Sequence, residues 1–383
     1  MKKIIMLHII MMLAISGLAQ NASKDLTPLK ISGQASAWGH YNGDNPYPLY
    51  LGVRFIPQFN YDIDLGDSKL LDFEASANMV GDVGLHIPDS ADWNGKMSPY
   101  RLWARYSTQQ LEIRVGLQKL NFGSATLLRP LMWFDQVDPR DPLQLTDGVY
   151  AALGRYYFMN NANLWIWLLY GNDNTKGWEL IHSNKTMPEF GGRFQMPIPA
   201  GEAALSYHHR TADSRNLSEI LPVFEQIPED RIGVDARFDK VVGFWFEGAW
   251  IHKGKDLGEF TNQQTINIGL DYTFGLGNGL SMIAEHLISA YDEKALAFNN
   301  SANMTALSLN YPIGMFDNLN TIVFYSWEDK KVYNFINWSK QYDSIALNIM
   351  GYWNPEEYNM PLQGSADNLF AGKGLQLMLV YNF

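Results

Sequence analysis

Apolar and polar residues alternate with period two along most of the chain. At 51–62, LGVRFIPQFNYD places Leu51, Val53, Phe55, Phe59 and Tyr61 on one side and Arg54, Gln58, Asn60 and Asp62 on the other. At 71–79, Leu71, Phe73, Ala75, Ala77 and Met79 alternate with Asp72, Glu74, Ser76 and Asn78. At 231–239, Ile232, Val234, Ala236 and Phe238 oppose Arg231, Asp235, Arg237 and Asp239. At 265–274, Ile266, Ile268, Leu270, Tyr272 and Phe274 oppose Asn267, Asp271 and Thr273. Successive strand side chains point to opposite faces, so this is the pattern of half-exposed strands.

A water-soluble sandwich or propeller would turn the apolar face inward. Three features favour a membrane barrel, which turns that face to lipid. The strands are long, near the 9–11 residues a tilted membrane strand needs. The polar face carries Gly, Ser, Asn and full charges, as a wet lumen does. The connections also differ in length on the two sides. The pattern predicts strands over 29–41, 49–64, 69–80, 99–107, 110–121, 148–158, 163–171, 188–198, 202–212, 230–239, 242–254, 262–274, 279–291, 302–312, 318–328, 331–338, 343–353 and 373–383. The expected fold is all-β: a transmembrane antiparallel up-and-down β-barrel of about 18 strands, with about 16 as the fallback count.

Tight turns are predicted at 65–69, 108–110, 159–163, 198–202, 239–241 and 275–279, and longer loops at 81–98, 122–147, 172–187, 213–229 and 354–372. If the first strand rises from the periplasm, all the tight turns are periplasmic and all the long loops lie outside. Segment 330–342 reads either as one loop or as a hairpin ending in strand 331–338. Only the hairpin returns the last strand to the periplasm, and it gives the even count of single-chain bacterial barrels.

The ends carry their own signals. Lys2 and Lys3 precede an apolar run from Ile4 to Ile15, and Gly17 and Ala19 supply small residues for cleavage. Residues 1–20 are read as a Sec-type signal peptide cleaved near Ala19, leaving 21–383 as the barrel. At the other end GLQLMLVYNF alternates Leu375, Leu377, Leu379, Tyr381 and Phe383. It resembles the final strand of barrels inserted by the outer-membrane assembly machinery, which ends in an aromatic residue. That implies the assembly machinery as a partner through Phe383, with outer-membrane lipid and lipopolysaccharide around the barrel. Trp38, Tyr41, Tyr61, Tyr170, Trp250, Tyr272 and Tyr381 near strand ends fit interfacial girdles.

Residues 122–147 break the alternation. The loop is apolar at Leu127, Leu128, Leu131, Met132, Trp133 and Phe134, yet charged at Arg129, Asp135, Asp138, Arg140 and Asp141. Pro130, Pro139 and Pro142 suppress strand pairing. A loop dangling in water needs few of those apolar groups, and a buried one would not normally carry the charges. The layout resembles general porins, in which the loop after the fifth strand folds into the barrel. By that resemblance the apolar residues press on the inner wall, and the five charged residues form a pore constriction. On the wall before it, Arg101, Trp103 and Arg105 share one face, as do Glu112, Arg114 and Gln118. With Arg54, Asp72 and Glu74 they make the expected lumen lining: a basic strip facing the acidic loop, or a network that neutralises itself. Arg114, Gly116, Gln118 and Gly123 also match the R-x-G-x-Q…G pattern of alginate-export-type porins. That resemblance implies a passive porin. The dense arginine lining a polyanion needs is not evident.

Charge and composition narrow the chemistry. The net charge of −11 becomes about −13 without the leader lysines, which disfavours nucleic acid. With no cysteine, thiol catalysis and disulfides are excluded. Neither HExxH nor GxSxG occurs. His208–His209 and Glu285–His286 are adjacent pairs whose members face opposite ways on a strand. NDNTKGWE at 172–179 reads as a solvated outer loop, with calcium ligation as the lesser reading. No cofactor, metal or enzymatic activity is expected. The expected function is an outer-membrane porin of a Gram-negative bacterium, monomer or homotrimer, passing small polar or ionic solutes by diffusion. The alternatives are a barrel enzyme at the outer leaflet and a plugged structural or surface-binding barrel.

Overall fold

The computed structural model describes residues 28–86, 90–217, 219–357 and 369–383. The expected signal peptide, 1–20, lies outside them. The strands are β1 (Leu29–Asn42), β2 (Leu49–Gly66), β3 (Lys69–His86), β4 (Ser90–Ser107), β5 (Leu111–Gln118), β6 (Val149–Tyr157), β7 (Asn163–Leu169), β8 (His182–Ser183), β9 (Glu189–Ile198) and β10 (Gly201–Asp213). There follow β11 (Ile227–Asp239), β12 (Gly243–Lys253), β13 (Asn262–Phe274), β14 (Leu280–Asp292), β15 (Ser301–Pro312), β16 (Asp317–Ser326), β17 (Lys331–Tyr342), β18 (Ile345–Trp353) and β19 (Lys373–Asn382). β8 is a two-residue stub on the end of β10. The other strands form a closed antiparallel barrel wall of 18, each paired with its neighbours in the chain, β7 passing directly to β9. β1 pairs with β19, from Gln34 opposite Asn382 to Asn42 opposite Gly374, so the ring has no open edge.

The strand count and the wall order follow the alternation. Outward positions are apolar and exposed, as at Ile268 and Leu270 on β13 or Leu375, Leu377 and Leu379 on β19. Inward neighbours such as Asn267 and Asp235 are buried. Segment 331–342 is a full strand, and Asp343 takes the positive φ of a tight turn. Asp67 and Ser68 do the same between β2 and β3, as a two-residue hairpin of primed type requires.

The predicted loop 81–98 is instead the extended end of the β3–β4 hairpin, from Gly81 opposite Gly95 to His86 opposite Ser90. Its β4 side is exposed on both faces from Ser90 to Met97. A strand wet on both faces has no apolar period, so periodicity passes over it. Lower in the same pair the register shifts between Ser76 and Ala77, where Pro99 and Tyr100 of β4 are accommodated. Proline has no N–H for the ladder and is tolerated at such a bulge.

Candidate functional site: the barrel interior

The residues expected to line the lumen sit on β2 to β5, with Arg155 of β6 and Trp165 of β7 beside them. Arg105 makes a bidentate pair with Asp72 at 2.7–3.1 Å. Arg114 bonds Glu112 at 2.9 Å, and Arg155 on β6 lies 3.7 Å from the same carboxylate. The Trp103 ring lies between Arg105 and Arg114, at 5.4 and 4.8 Å, and Arg155 stacks on Trp165 at 3.8 Å. Glu74 accepts from Ser76, Arg54 lies over Trp38, and Gln118 donates to the Ala151 carbonyl. Arg101 reaches further in and donates to the Thr146 carbonyl at 2.9 Å, tying the wall to the loop after β5. Cation and anion thus alternate around this sector, with the indoles as spacers.

Residues 119–148, between β5 and β6, run through the interior. Phe122, Leu131, Trp133 and Phe134 pack with Leu153, Trp167 and Leu169 of the near wall and with Ala249 of β12. Leu127 and Leu128 join a second cluster with Phe324, Phe335, Met350 and Tyr352 on β16 to β18. Between the clusters the backbone is held by two carboxylates. Glu247 on β12 accepts from the N–H groups of Ser124, Ala125 and Leu131 at 2.8, 2.9 and 2.6 Å. Glu285 on β14 accepts from Thr126, Leu127 and Leu128 at 2.6, 3.1 and 2.6 Å. Asn267 of β13, between them, donates to the Leu128 carbonyl at 2.7 Å. These six loop N–H groups therefore have partners, and each bond to a carboxylate contributes about 1.5–3 kcal/mol. Gly123 has φ +105°, and a Cβ there would lie 2.5 Å from Glu247 Oε2.

The five charged loop residues pair mostly with one another. Arg129 bonds Asp135 at 2.7 Å and the Phe122 carbonyl at 3.1 Å. The Asp135 side chain is 1% exposed. Arg140 grips Asp138 with two nitrogens and lies 5.4 Å over Phe335. Asp138, at 29% side-chain exposure, is the more open partner. Asp141 accepts from the backbone of Leu143 and Leu145. Burial raises its carboxyl above the ordinary value, while those N–H groups and the charge of Arg54 pull it down. Arg54 on β2 thus acts on Asp141 through its charge.

Residues 176–179, expected from the sequence to lie in a solvated outer loop, instead turn inward, because the barrel interior offers them partners. In the loop between β7 and β9, Trp178 donates to the Arg129 carbonyl at 2.8 Å. Glu179 bonds Arg231 at 2.6 Å and lies 3.2 Å from Arg210. Gly177, at φ +48°, lets this loop approach the Met132 carbonyl, which a Cβ would meet at 1.9 Å. Arg210 and Arg231 also share Glu229, and Arg193 pairs with Asp235 at 2.6 Å. The signal for this wall was present in the polar face of 231–239, but not its partner across 52 residues of chain. His208 faces inward against Glu189 and Trp167, and His209 faces outward against Asp230. Glu285 and His286 split likewise, His286 bonding Thr305 on the outer surface.

The chain matches no protein-family model and no curated protein. Its fold matches solved outer-membrane barrels. OccK5 (OpdH) of Pseudomonas aeruginosa superposes with TM-score 0.54 at 10% identity, over 93% of this chain and 98% of that one. OmpT, an outer membrane protein of Vibrio cholerae in trimer form, gives 0.51 at 10% identity over 93% and 99%. The anion-selective porin of Comamonas acidovorans gives 0.48 at 10% identity over 93% and 99%. The shared architecture is the closed antiparallel β-barrel.

Proposed function

We propose that this chain is a passive channel of the outer membrane of a Gram-negative bacterium, passing small polar or ionic solutes through a lumen narrowed by residues 119–148. The supporting observation is the loop's course: it leaves β5, bonds Glu247 and Glu285 on β12 and β14, and returns to β6. Open space lies at each end of the barrel. A cavity of about 640 Å³ opens among Asp44, Tyr50, Asp92 and Glu356 at the long-loop end. Another, of about 510 Å³, lies at the tight-turn end and reaches Pro142 and Leu143. Filtering is electrostatic and steric, and we assign it to Asp138, Asp141, Arg54 and Arg105. Arg129–Asp135 and the guanidinium of Arg140 brace the loop. Export follows cleavage near Ala19, and insertion uses the final strand ending in Phe383. Outer-membrane lipid and lipopolysaccharide surround the wall of a monomer or homotrimer.

The burial of the loop's apolar side chains against both walls favours a second reading, a barrel that the loop plugs. Single-channel conductance in planar bilayers separates the two, with wild type compared to a deletion of 127–142. An open wild type whose conductance rises and selectivity changes on deletion supports the filter. A closed wild type that opens on deletion makes the loop a plug. Silence in both overturns the channel.

A further inference from the structure

The polar anchorage of the loop is concentrated on two side chains. Six backbone N–H groups, from Ser124, Ala125, Thr126, Leu127, Leu128 and Leu131, converge on Glu247 and Glu285. Both carboxylates are at most 1% exposed and lie in adjacent inward rows, with Asn267 between them closing on the Leu128 carbonyl. Neither carboxylate has an arginine or lysine salt-bridge partner among the described residues; the donors are loop backbone, plus the amide of Asn267 on Glu285. A buried carboxylate without such compensation is costly, so the wall has a strong preference for the loop in this position. The loop has a matching preference, because the same N–H groups have no strand ladder to join.

We propose that Glu247 and Glu285 are positioning residues: together they latch the loop across the lumen and so set the cross-section open to solute. The proposal rests on the channel reading only for its current readout; the position of the loop is read separately. A carboxylate offers acceptors on both oxygens. A glutamine offers one oxygen and turns an NH₂ group toward N–H donors, so Glu→Gln breaks part of each cluster at nearly constant volume. A second, loop-side route avoids the wall: Thr126→Pro removes one donor and leaves both carboxylates intact.

The absence of native cysteine makes the test clean. Ala125→Cys places a thiol at a buried loop position, and its maleimide labelling rate is measured in folded, detergent-solubilised barrel. Labelling is expected to accelerate about ten-fold or more in E247Q/E285Q, as local opening becomes easier, and less in T126P. E247D and E285D, which keep both oxygens, are expected to restore slow labelling in part. The same proteins in bilayers are expected to show conductance rising with the labelling rate. Labelling that stays slow in folded E247Q/E285Q and in T126P overturns the latch. Fast labelling with no current in any form supports the latch and overturns the channel reading instead.

Discussion

Asp141 carries two opposed influences: burial raises its carboxyl, and the Leu143 and Leu145 amides with Arg54 lower it, burial being the larger. Because the folded value lies above the unfolded one, the folded chain holds more protons than the unfolded chain between them. Stability therefore falls as pH rises through that window, and acidification relieves the cost of the buried charge. The same proton removes a negative charge from beside Arg54. Lowering the pH from about 7 to about 4 should move the reversal potential of the open channel toward anions, with a midpoint above the ordinary aspartate value. Asp141→Asn should hold the acid-side value at every pH. If the shift persists in that variant, another group is titrating. At this scale the sequence showed the residue types and little of their pairing. Arg129 with Asp135 and Arg140 with Asp138 are local enough to be imagined. Glu247 and Glu285 lie 116 and 157 residues from loop donors they receive. Nothing in a one-dimensional pattern marks which of many inward carboxylates will meet a loop.

At the scale of the element, β13 shows how one strand serves two solvents. Asn267 is fully buried and bonds the loop, while Ile268 beside it is 48% exposed on the outer face of the barrel. Ile268→Arg should cost about 2–4 kcal/mol in urea unfolding from vesicles, the expense of a cation near mid-bilayer. Asn267→Ala should cost nearer 1 kcal/mol and act on the pore, because it removes the loop's bond without changing the lipid face. Unfolding curves and conductance measured on both variants check the pair, and a swap of the two effects would mean the faces are misassigned. Period-two alternation made this division legible for nearly every strand, because lipid and lumen impose opposite chemistry on alternate residues. It failed where that contrast is absent. The β4 side of the β3–β4 extension is exposed on both faces. The loop of Trp178 and Glu179 has no period at all, and its inward docking depends on Arg210, Arg231 and the Arg129 carbonyl.

For the whole molecule, closure is the decisive event, because β1 and β19 lie at opposite ends of the chain and every other wall contact is between near neighbours in sequence. Joining them carries the largest loop-closure entropy of the fold, so the seam needs its own fastening. The alternating final strand indicated an end to the wall, but not what it would seal against. Phe383 supplies much of the fastening. Its amide and carbonyl exchange hydrogen bonds with Gly33, at 3.1 and 2.9 Å. Its ring stacks on Phe55 of β2 at 5.8 Å and on Tyr381 at 6.0 Å. The ring occupies the space where a Cβ on Gly33 would stand, so the small residue and the large one are complementary. Phe383→Ala keeps the backbone bonds and removes the stack, at a cost of about 2 kcal/mol. The heat at which the folded, SDS-resistant band converts to the unfolded one should fall. Gly33→Ala should lower it too, by displacing the ring and by pressing a Cβ to 2.5 Å from the Ile56 carbonyl, and the double variant should fall short of the sum only by the ring contact the two share. Conductance of the folded fraction should stay at the wild-type value in all three, since the seam touches no loop anchor. An altered current with unchanged heat resistance would place Phe383 in the pore's machinery rather than in the closure of the ring.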